Sequence, residues 1–301
     1  MRTILTWLGR IVVGLVVLIA ILAAFIYVRS EQLISQTFHA PDITITVPTD
    51  AASIERGHHL ATVVSDCTGC HGTNFAGTVV IDDPALGRVV SANLTKGQNG
   101  LGSTLSDADF LRVIRYGVKP DGHSVLLMPS TDFQHFSDSD LADVVAYIRS
   151  LPAADSSLPA TSLGPLGRVL LVAGQLPLVI APQIDQSKAG GPAVAPAVSA
   201  DYGKYMVSVS CAGCHGEGLS GGPIPGTPPS FPKAANLTPS GEVGAWTEAD
   251  FQKAVQTGVT PSGKTLNPFM PYKTFANLTS DEVQALWLYI HSVPARPAGT
   301  H

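Results

Sequence analysis

The stretch CTGCH at residues 67–71 returns as CAGCH at residues 211–215. Each copy holds two thiols at a spacing of three, followed directly by an imidazole, which is the attachment signature of c-type haem. The thiols reach the two vinyl groups of a haem, and the imidazole then comes within reach of its iron. The sequence therefore predicts two covalently bound haems c. The predicted attachment and ligand residues are Cys67, Cys70, His71, Cys211, Cys214 and His215.

The same motifs have three alternative interpretations, namely a zinc site, a redox dithiol or a disulfide. Zinc needs four ligands together, whereas these thiol pairs lie 144 residues apart and each is followed by its own histidine. A thioredoxin-like dithiol needs a βαβ pattern, which is absent here. Attachment to haem would use all four cysteines of the chain and leave none for a disulfide. The spacing and the repetition favour haem over all three.

The rest of the chain carries one pattern twice. Asn93-Leu94-Thr95 returns at residues 236–238, and the offsets of the other matches stay between 141 and 144. Such self-similarity indicates repeated structural units. We predict two similar domains at residues 50–153 and 199–295, joined by an apolar, Pro- and Gly-rich linker over residues 154–198. Other matching pairs are Asp109-Phe110 with Asp250-Phe251, Gly117-Val118 with Gly258-Val259, and Met128-Pro129 with Met270-Pro271.

Helix signals recur at matching places in both halves. Leu141, Val144 and Ile148 fall on one helical face before Pro152 ends the run, and residues 283–290 repeat this pattern before Pro294. A further helix is expected before each cysteine pair, around residues 52–64 and 200–210. Alternation typical of a strand is brief, as at residues 43–47, so the soluble part is predicted to be all-α. Capping boxes are predicted at Ser106 with Asp109, Ser137 with Asp140, Thr247 with Asp250, and Thr279 with Glu282.

The second axial ligand of each haem can be sought among the methionines. Met128 and Met270 lie 61 and 59 residues after the first cysteine of their halves, each before a proline. Because His with Met is a known haem ligand pair, we predict that these two residues are the ligands. Met206, on the helix before Cys211, is expected in the core. Alternative ligands are His123, His135 and His291, whereas His39, His58 and His59 fall outside the repeat and are expected at the surface or around the site.

The N-terminal residues 1–30 are predicted to form a membrane anchor. Residues 11–28 carry no charge, and eighteen helical residues span about 27 Å, close to the hydrocarbon thickness of a bilayer. Arg2 and Arg10 precede this run, so the positive-inside rule places the N-terminus in the cytoplasm and the rest of the chain outside. The alternative is a cleaved signal peptide, which the length of the apolar run disfavours. We expect a bacterial inner-membrane protein with periplasmic domains.

The linker contains a second apolar stretch at residues 163–184. Its uncharged part, residues 169–184, is short for a membrane span, and a span would put the two similar halves on opposite sides of the membrane. We expect this stretch to pack on a domain, on a partner or on the membrane surface. The net charge of −5 and the lack of basic runs exclude nucleic acid as a partner.

The motifs together resemble a known family. Each half resembles a class I cytochrome c domain, and the whole chain is similar to membrane-anchored dihaem cytochromes c, some of which are cytochrome subunits of periplasmic dehydrogenases. The resemblance rests on CxxCH, Asn-Leu-Thr, Ser/Thr-x-x-Asp-Phe and Met-Pro at residues 50–153 and 199–295. The Gly-x-x-x-aromatic pattern common in the first helix is degraded at Gly57 and Gly203. The resemblance implies Met128 and Met270 as ligands.

Two functions follow as alternatives. Two strong side-chain ligands leave no open iron position, which favours an electron carrier that receives single electrons from a dehydrogenase or a membrane complex and passes them to an acceptor. The alternative is a haem enzyme, such as a dihaem peroxidase or a thiosulfate dehydrogenase, in which one site is reactive. A third alternative is a structural subunit whose haems take no part in electron transfer. The partners expected are redox proteins, together with the membrane through the N-terminal helix.

Overall fold

The computed structural model describes residues 2–228 and 230–299, and its regular structure is mostly helical, as predicted. The first helix, α1, runs over Arg2–Ile34. Most of its apolar side chains are exposed, and the mean hydropathy of its most apolar 18-residue window is 3.2. By length and composition α1 is able to cross a membrane, and it is the one such helix among the described residues.

The first domain follows the predicted order of helices. Its first helix is capped by Asp50, whose carboxylate accepts a hydrogen bond from the Ser53 amide, and it continues into a π-helical turn before the first cysteine pair. The capping box at Ser106 is complete, whereas Ser137 caps its helix alone because the Asp140 carboxylate binds elsewhere. The helices are α2 (Ala51–His59), α3 (Cys67–His71), α4 (Asp107–Tyr116), α5 (Ser130–Phe133) and α6 (Asp138–Ser150), with a π turn at Leu60–Val64 and a 3₁₀ turn at Leu101–Ser103.

A small antiparallel sheet was not predicted. It consists of β1 (Val79–Asp83), β2 (Gly87–Val90) and β3 (Ser162–Leu163), in the order β1-β2-β3. Gly87 has φ of +109°, and a Cβ there would overlap the Ser162 carbonyl oxygen. Glycine is therefore needed at this position for β2 and β3 to pair. Residues 43–47, where the sequence alternates, form no strand, although Ile43, Ile45 and Val47 pack against the core.

The linker packs on the first domain. It contains α7 (Pro165–Val172), which contacts α1, and 3₁₀ turns at Ala181–Gln183 and Gln186–Lys188. Beyond α7 the linker pairs with the loop before Met128, since the Leu127 amide donates to the Leu178 carbonyl at 2.9 Å. The segment after α1 holds the same loop, because the Phe38 amide donates to the Gly122 carbonyl at 2.8 Å. Among the described residues, the loop before Met270 in the second domain makes no backbone hydrogen bond to either segment.

The second domain repeats the helices of the first. Both predicted capping boxes, at Thr247 and at Thr279, are formed. The helices are α8 (Ala200–Ser210), α9 (Ala212–His215), α10 (Glu248–Thr257), α11 (Tyr272–Phe275) and α12 (Ser280–Ser292), with a 3₁₀ turn at Glu242–Ala245.

In each domain the first and last helices cross at a glycine. A Cβ on Gly57 would overlap the Asp143 carbonyl oxygen, so α2 and α6 touch backbone to backbone. Gly203 meets the Ala285 carbonyl oxygen in the same way, which brings α8 against α12. The aromatic residue expected four positions after each glycine is missing, yet the crossing is kept in both domains. The small residue, rather than the aromatic one, sets this close approach.

The two domains share one hydrophobic core. Buried residues of both domains, including Leu60, Phe136 and Met206, belong to a single contact cluster. Polar contacts also join the domains: the Tyr205 hydroxyl donates to Asp140 Oδ2 at 2.5 Å, and Nε2 of His59 lies 2.8 Å from Glu282 Oε1. The packing therefore fixes one domain against the other.

Candidate haem sites

Each cysteine pair lies on one turn of helix directly after the first helix of its domain. In the first domain, Asp66 adopts a left-handed conformation with φ of +46° and stops the π turn, and its carboxylate accepts from the Gly69 amide at 3.2 Å. In the second domain, α8 leads directly into Cys211. Both turns end at a glycine with positive φ, Gly72 and Gly216, so the two attachment segments end in the same way although they begin differently.

The imidazoles of both motifs are held in one tautomer. Nδ1 of His71 lies 2.8 Å from the Ala92 carbonyl oxygen, and Nδ1 of His215 lies 2.8 Å from the Ala235 carbonyl oxygen. Because a carbonyl only accepts, each Nδ1 carries the proton and each Nε2 keeps a lone pair. Burial lowers the pKa of both histidines, with the carbonyl contact opposing it. Burial outweighs the carbonyl contact and keeps each ring neutral, while the contact orients the ring. A neutral, oriented ring is the form that ligates a metal.

The two predicted methionine ligands have matching backbone geometry. Pro129 has φ and ψ of −79° and 53°, and Pro271 has −79° and 47°. The Ser130 amide donates to the Met128 carbonyl at 2.8 Å, and the Tyr272 amide donates to the Met270 carbonyl at the same distance. The proline that follows each methionine thus starts a short helix, α5 or α11, that holds the methionine in place. Both methionines are half-buried and pack against the core.

In the second domain the four predicted residues line one cleft of about 470 Å³. Cys211, Cys214 and His215 contribute to its walls together with Met270. The remainder of the lining is mainly apolar, as a haem requires, and the volume falls within the usual range for cofactor sites. The apolar lining residues include Leu237, Trp246, Phe251, Phe275, Leu286 and Ile290. The residues present therefore fit a haem.

The thiols are kept in their neutral form. Burial, with the nearby carboxylate of Asp66 adding to it, raises the pKa of Cys67 to about 12. Burial likewise raises the pKa of Cys211 to about 11. Reactive dithiols and zinc-binding thiolates require the opposite shift. Within the described ranges, no three His, Cys, Asp or Glu side chains converge in the way that a zinc site needs. Both findings oppose the zinc and dithiol interpretations.

Each attachment turn is contacted by a residue from the other domain, which the sequence did not reveal. Thr274 of α11 donates to Asp66 Oδ1 at 3.0 Å. At the equivalent position in α5, Asp132 lies against Gly213, between the two cysteines of the second motif, so that a Cβ there would overlap its carboxylate. Burial raises the pKa of Asp132 to about 7. No signal in the sequence singles out Asp132 and Thr274, because the two positions before them also differ between α5 and α11.

Two of the three alternative histidine ligands have other partners. Nδ1 of His123 lies 3.2 Å from Asp121, and the ring of His291 lies against that of Trp287, with ring centroids 3.5 Å apart. His135 is half-buried, and burial lowers its pKa, while nearby Glu217 opposes that shift. His59, expected at the surface or around the site, lies at the domain interface. Met206 is 1% exposed and belongs to the core, as predicted.

The sequence profile of the cytochrome c family matches residues 54–152 and 200–294. These ranges nearly coincide with the two repeated domains and cover most of the folded part of the chain. The protein therefore belongs to the cytochrome c family of electron-transport proteins. Membership implies covalently bound haem c.

Relatives of known function include cytochrome subunits of dehydrogenases. The chain is 27% identical over 285 residues to the cytochrome c subunit of the quinone alcohol dehydrogenase of Gluconobacter oxydans, an alignment covering 83% of this chain and 56% of that protein. It is 35% identical over 99 residues to the gluconate 2-dehydrogenase cytochrome c subunit of Pantoea cypripedii, covering 30% and 22%. It is also 26% identical over 221 residues to a diheme cytochrome c-type protein of Cereibacter sphaeroides, covering 65% and 68%. The chain thus spans about half of the first relative and a smaller part of the second.

Proposed function

We propose that this protein is a membrane-anchored electron carrier with two haems c. In the first domain the haem is attached to Cys67 and Cys70 and ligated by His71 and Met128. In the second domain the corresponding residues are Cys211, Cys214, His215 and Met270. The observation that carries the proposal is the apolar cleft of the second domain, in which the thiols, the imidazole and the thioether of that set meet.

The side chains of the two proposed haem sites favour electron transfer over catalysis. The bound haem supplies reversible one-electron chemistry at its iron. A histidine fixed by a backbone carbonyl and a methionine fixed by the following short helix would occupy both axial positions. Methionine ligation raises the potential, and an iron with two protein ligands has no position left for dioxygen or peroxide. The protein then orients the cofactor and limits the access of water.

The contacts between the domains support transfer from one haem to the other. The short helix after Met128 touches the second attachment turn through Asp132, and the helix after Met270 touches the first turn through Thr274. Each ligand loop is therefore in contact with the other domain's haem attachment. We infer that electrons enter at one haem, cross this interface and leave from the other.

The donor is proposed to be a periplasmic dehydrogenase or a membrane complex, and the acceptor a respiratory or photosynthetic complex. The support comes from the relatives, which are named as cytochrome subunits of alcohol and gluconate dehydrogenases. Helix α1 is proposed to anchor the chain in a bacterial inner membrane with both haem domains in the periplasm. Its exposed apolar surface supports this placement.

The axial ligands are tested by Met128→Leu and Met270→Leu, with Met206→Leu as the matched control. Each ligand variant is expected to lose about half of the long-wavelength absorption band that methionine gives to ferric haem, and one haem is expected to fall in potential. Met206→Leu, a volume-conserving change in the core, is expected to keep both haem spectra and to cost less than about 1.5 kcal/mol of stability.

The haem content is measured on the same preparations. A pyridine haemochrome assay is expected to give two haems per chain. Fewer than two, or unchanged spectra in both ligand variants, would overturn the assignment. Rapid binding of carbon monoxide by the untreated reduced protein would instead indicate an open iron position and favour a haem enzyme.

A further inference from the structure

The linker helix α7 has an outward face that carries no charge. Within α7, Gly167 and Leu171 are buried, whereas Leu166 and Val169 are 45% and 41% exposed. At 100° per residue, Leu166, Val169 and Ala173 lie together on the side opposite Leu171. A helix facing water normally carries polar or charged residues on its outer face. Here that face is apolar over its whole length.

The position of α7 identifies what covers this face. Leu171 packs in a cluster with Leu33 and Ile34 at the C-terminal end of α1. Nη1 of Arg168 donates to Ser30 Oγ and pairs with Glu31 Oε1, both at 2.7 Å. These residues follow directly on the uncharged part of α1, which ends at Val28. If α1 crosses a bilayer, α7 therefore lies at the level where the chain leaves it.

The residues that join α7 to α1 suit a membrane interface. The guanidinium of Arg168 lies over the Tyr27 ring at 4.2 Å, and it is mostly shielded from solvent. Tyrosine and arginine both favour the headgroup region, where an apolar part lies in lipid and a polar end stays in water. Arg168 is the one charged residue of α7, and it points to α1 rather than outward.

We propose that the Leu166–Val169–Ala173 face of α7 lies on the membrane surface as a second contact beside α1. The inference rests on the proposed anchoring by α1. It also gives the first domain a fixed orientation, because α7 is tied to that domain: the Gly164 amide donates to the Leu86 carbonyl, and the Leu127 amide, next to Met128, donates to Leu178. The first haem would then be held at a set angle and height above the bilayer.

The proposal is tested by photolabelling of the full-length haem protein. A photoreactive benzoylphenylalanine replaces Leu166 or Val169, and the protein is reconstituted into vesicles of phosphatidylethanolamine and phosphatidylglycerol. Benzoylphenylalanine in place of Val28 in α1 tests whether α1 lies in the bilayer. The matched control carries benzoylphenylalanine in place of Leu288 on α12, because Leu288 and Val169 are both 41% exposed. The haem spectrum of each variant is checked before irradiation, and lipid adducts are measured by mass spectrometry.

Lipid adducts at 166 and 169 are expected to reach the yield found at 28 and to exceed the yield at 288 several-fold. If 28 is labelled while 166 and 169 give only the yield of 288, the α7 contact is wrong and the anchor stands. A protein–protein adduct at 169 without lipid adducts would show that a second copy covers this face, and the proposal fails. If 28 itself is not labelled, the membrane anchor of the proposed function fails, and the α7 contact fails with it.

Discussion

Two carboxylates, Asp66 and Asp132, lie against the glycines of the two CxGCH motifs. The Asp66 carboxylate accepts hydrogen bonds from Gly69, Thr68 and Thr274, whereas Asp132 has no hydrogen bond to its carboxylate in the described part of the chain. A buried carboxylate without such partners favours its protonated form, and burial accordingly raises the pKa of Asp132 to about 7. Asp132 and Thr274 occupy equivalent positions of the repeat. The second domain therefore has a neutral hydrogen-bond donor there, whereas the first domain has an acid that titrates.

Asp132 is expected to make the protein less stable as the pH rises. Its pKa in the folded state, about 7, exceeds the ordinary 3.8, so the stability present below about pH 4 decreases as the pH rises to 7. Asp132→Asn removes the charge and is expected to raise the free energy of unfolding by on the order of 2 kcal/mol at about pH 8, with little change at about pH 4. Denaturant unfolding at both pH values measures the difference.

The control for this change is Asp42→Asn, which alters an exposed carboxylate of the same type. The control is expected to shift stability by less than about 0.5 kcal/mol at either pH. If the stability of Asp132→Asn depends on pH in the same way as that of the unaltered protein, burial does not raise the pKa of Asp132.

At the scale of elements, the crossing of the first and last helices is the feature common to both domains. Gly57 and Gly203 allow α2 and α8 to contact the backbones of α6 and α12, and Tyr147 and Tyr289 pack beside the crossings. A side chain at either glycine has no free space. The close approach also places each attachment turn against the shared core, since Cys67 and Cys211 both pack on it.

Gly57→Ala and Gly203→Ala are each expected to destabilise the protein by about 1–3 kcal/mol, because the added methyl group overlaps a carbonyl oxygen of the facing helix. Gly191→Ala is the control: no atom lies within 4 Å of the added Cβ, and its backbone is not in the left-handed region. Thermal unfolding of the three variants provides the measurement. Equal melting temperatures for Gly57→Ala and Gly191→Ala would mean that α2 and α6 can move apart without loss of stability.

The elements added around the first domain distinguish it from the second. The linker and the segment after α1 both pair with the loop of residues 118–127 that leads to Met128. The equivalent loop of the second domain has no such partners among the described residues, and Phe269 in it is 53% exposed. The loop that leads to Met128 is thus braced from the side of α1.

At the scale of the whole molecule, the interface between the domains combines a shared core with polar contacts. His59 reaches across the interface to Glu282. Asp140, which accepts a hydrogen bond from Tyr205 of the second domain, is also bound within the first domain by Arg56 at 2.6 Å. Burial alone would raise the pKa of Glu282, but hydrogen bonds from His59 and the Thr279 amide, together with attraction to His59, outweigh it and lower the pKa. The charged form of Glu282 therefore stabilises the assembled domains.

Glu282→Gln is expected to reduce stability by about 1–3 kcal/mol near neutral pH, because the hydrogen bond to His59 loses its charge while the cap on α12 is retained. Since the pKa of Glu282 is lowered, its contribution is present above the ordinary value of 4.5 and is lost as the pH falls below it. The variant is expected to show a weaker loss of stability in acid. Denaturant unfolding across this pH range measures both effects.

Asp281→Asn, an exposed carboxylate one position earlier, is the control and is expected to behave as the unaltered protein within about 0.5 kcal/mol. A Glu282→Gln protein whose stability falls in acid as that of the unaltered protein does would show that the charge of Glu282 does not help to hold the two domains together.

The sequence by itself determined the repeated features of this protein. The CxxCH motifs, the methionine–proline pairs and the helix signals are local patterns, since each depends on residues a few positions apart. They predicted two helical domains, the order of their helices, the capping residues at Ser106 and Thr247, and the core position of Met206. The sheet was missed because β1 and β2 show no clean alternation and β3 is only two residues long.

Only the tertiary structure decided how the repeats meet. Asp132 and Thr274 lie more than fifty residues from the attachment turns that they contact, and His59 and Glu282 are 223 positions apart. Asp140 does not complete its predicted capping box, because Arg56 and Tyr205 bind its carboxylate instead. Such contacts depend on which helix faces pack together across two domains, and no pattern within one segment encodes that choice. The packing of α7 against the end of α1 is of the same kind.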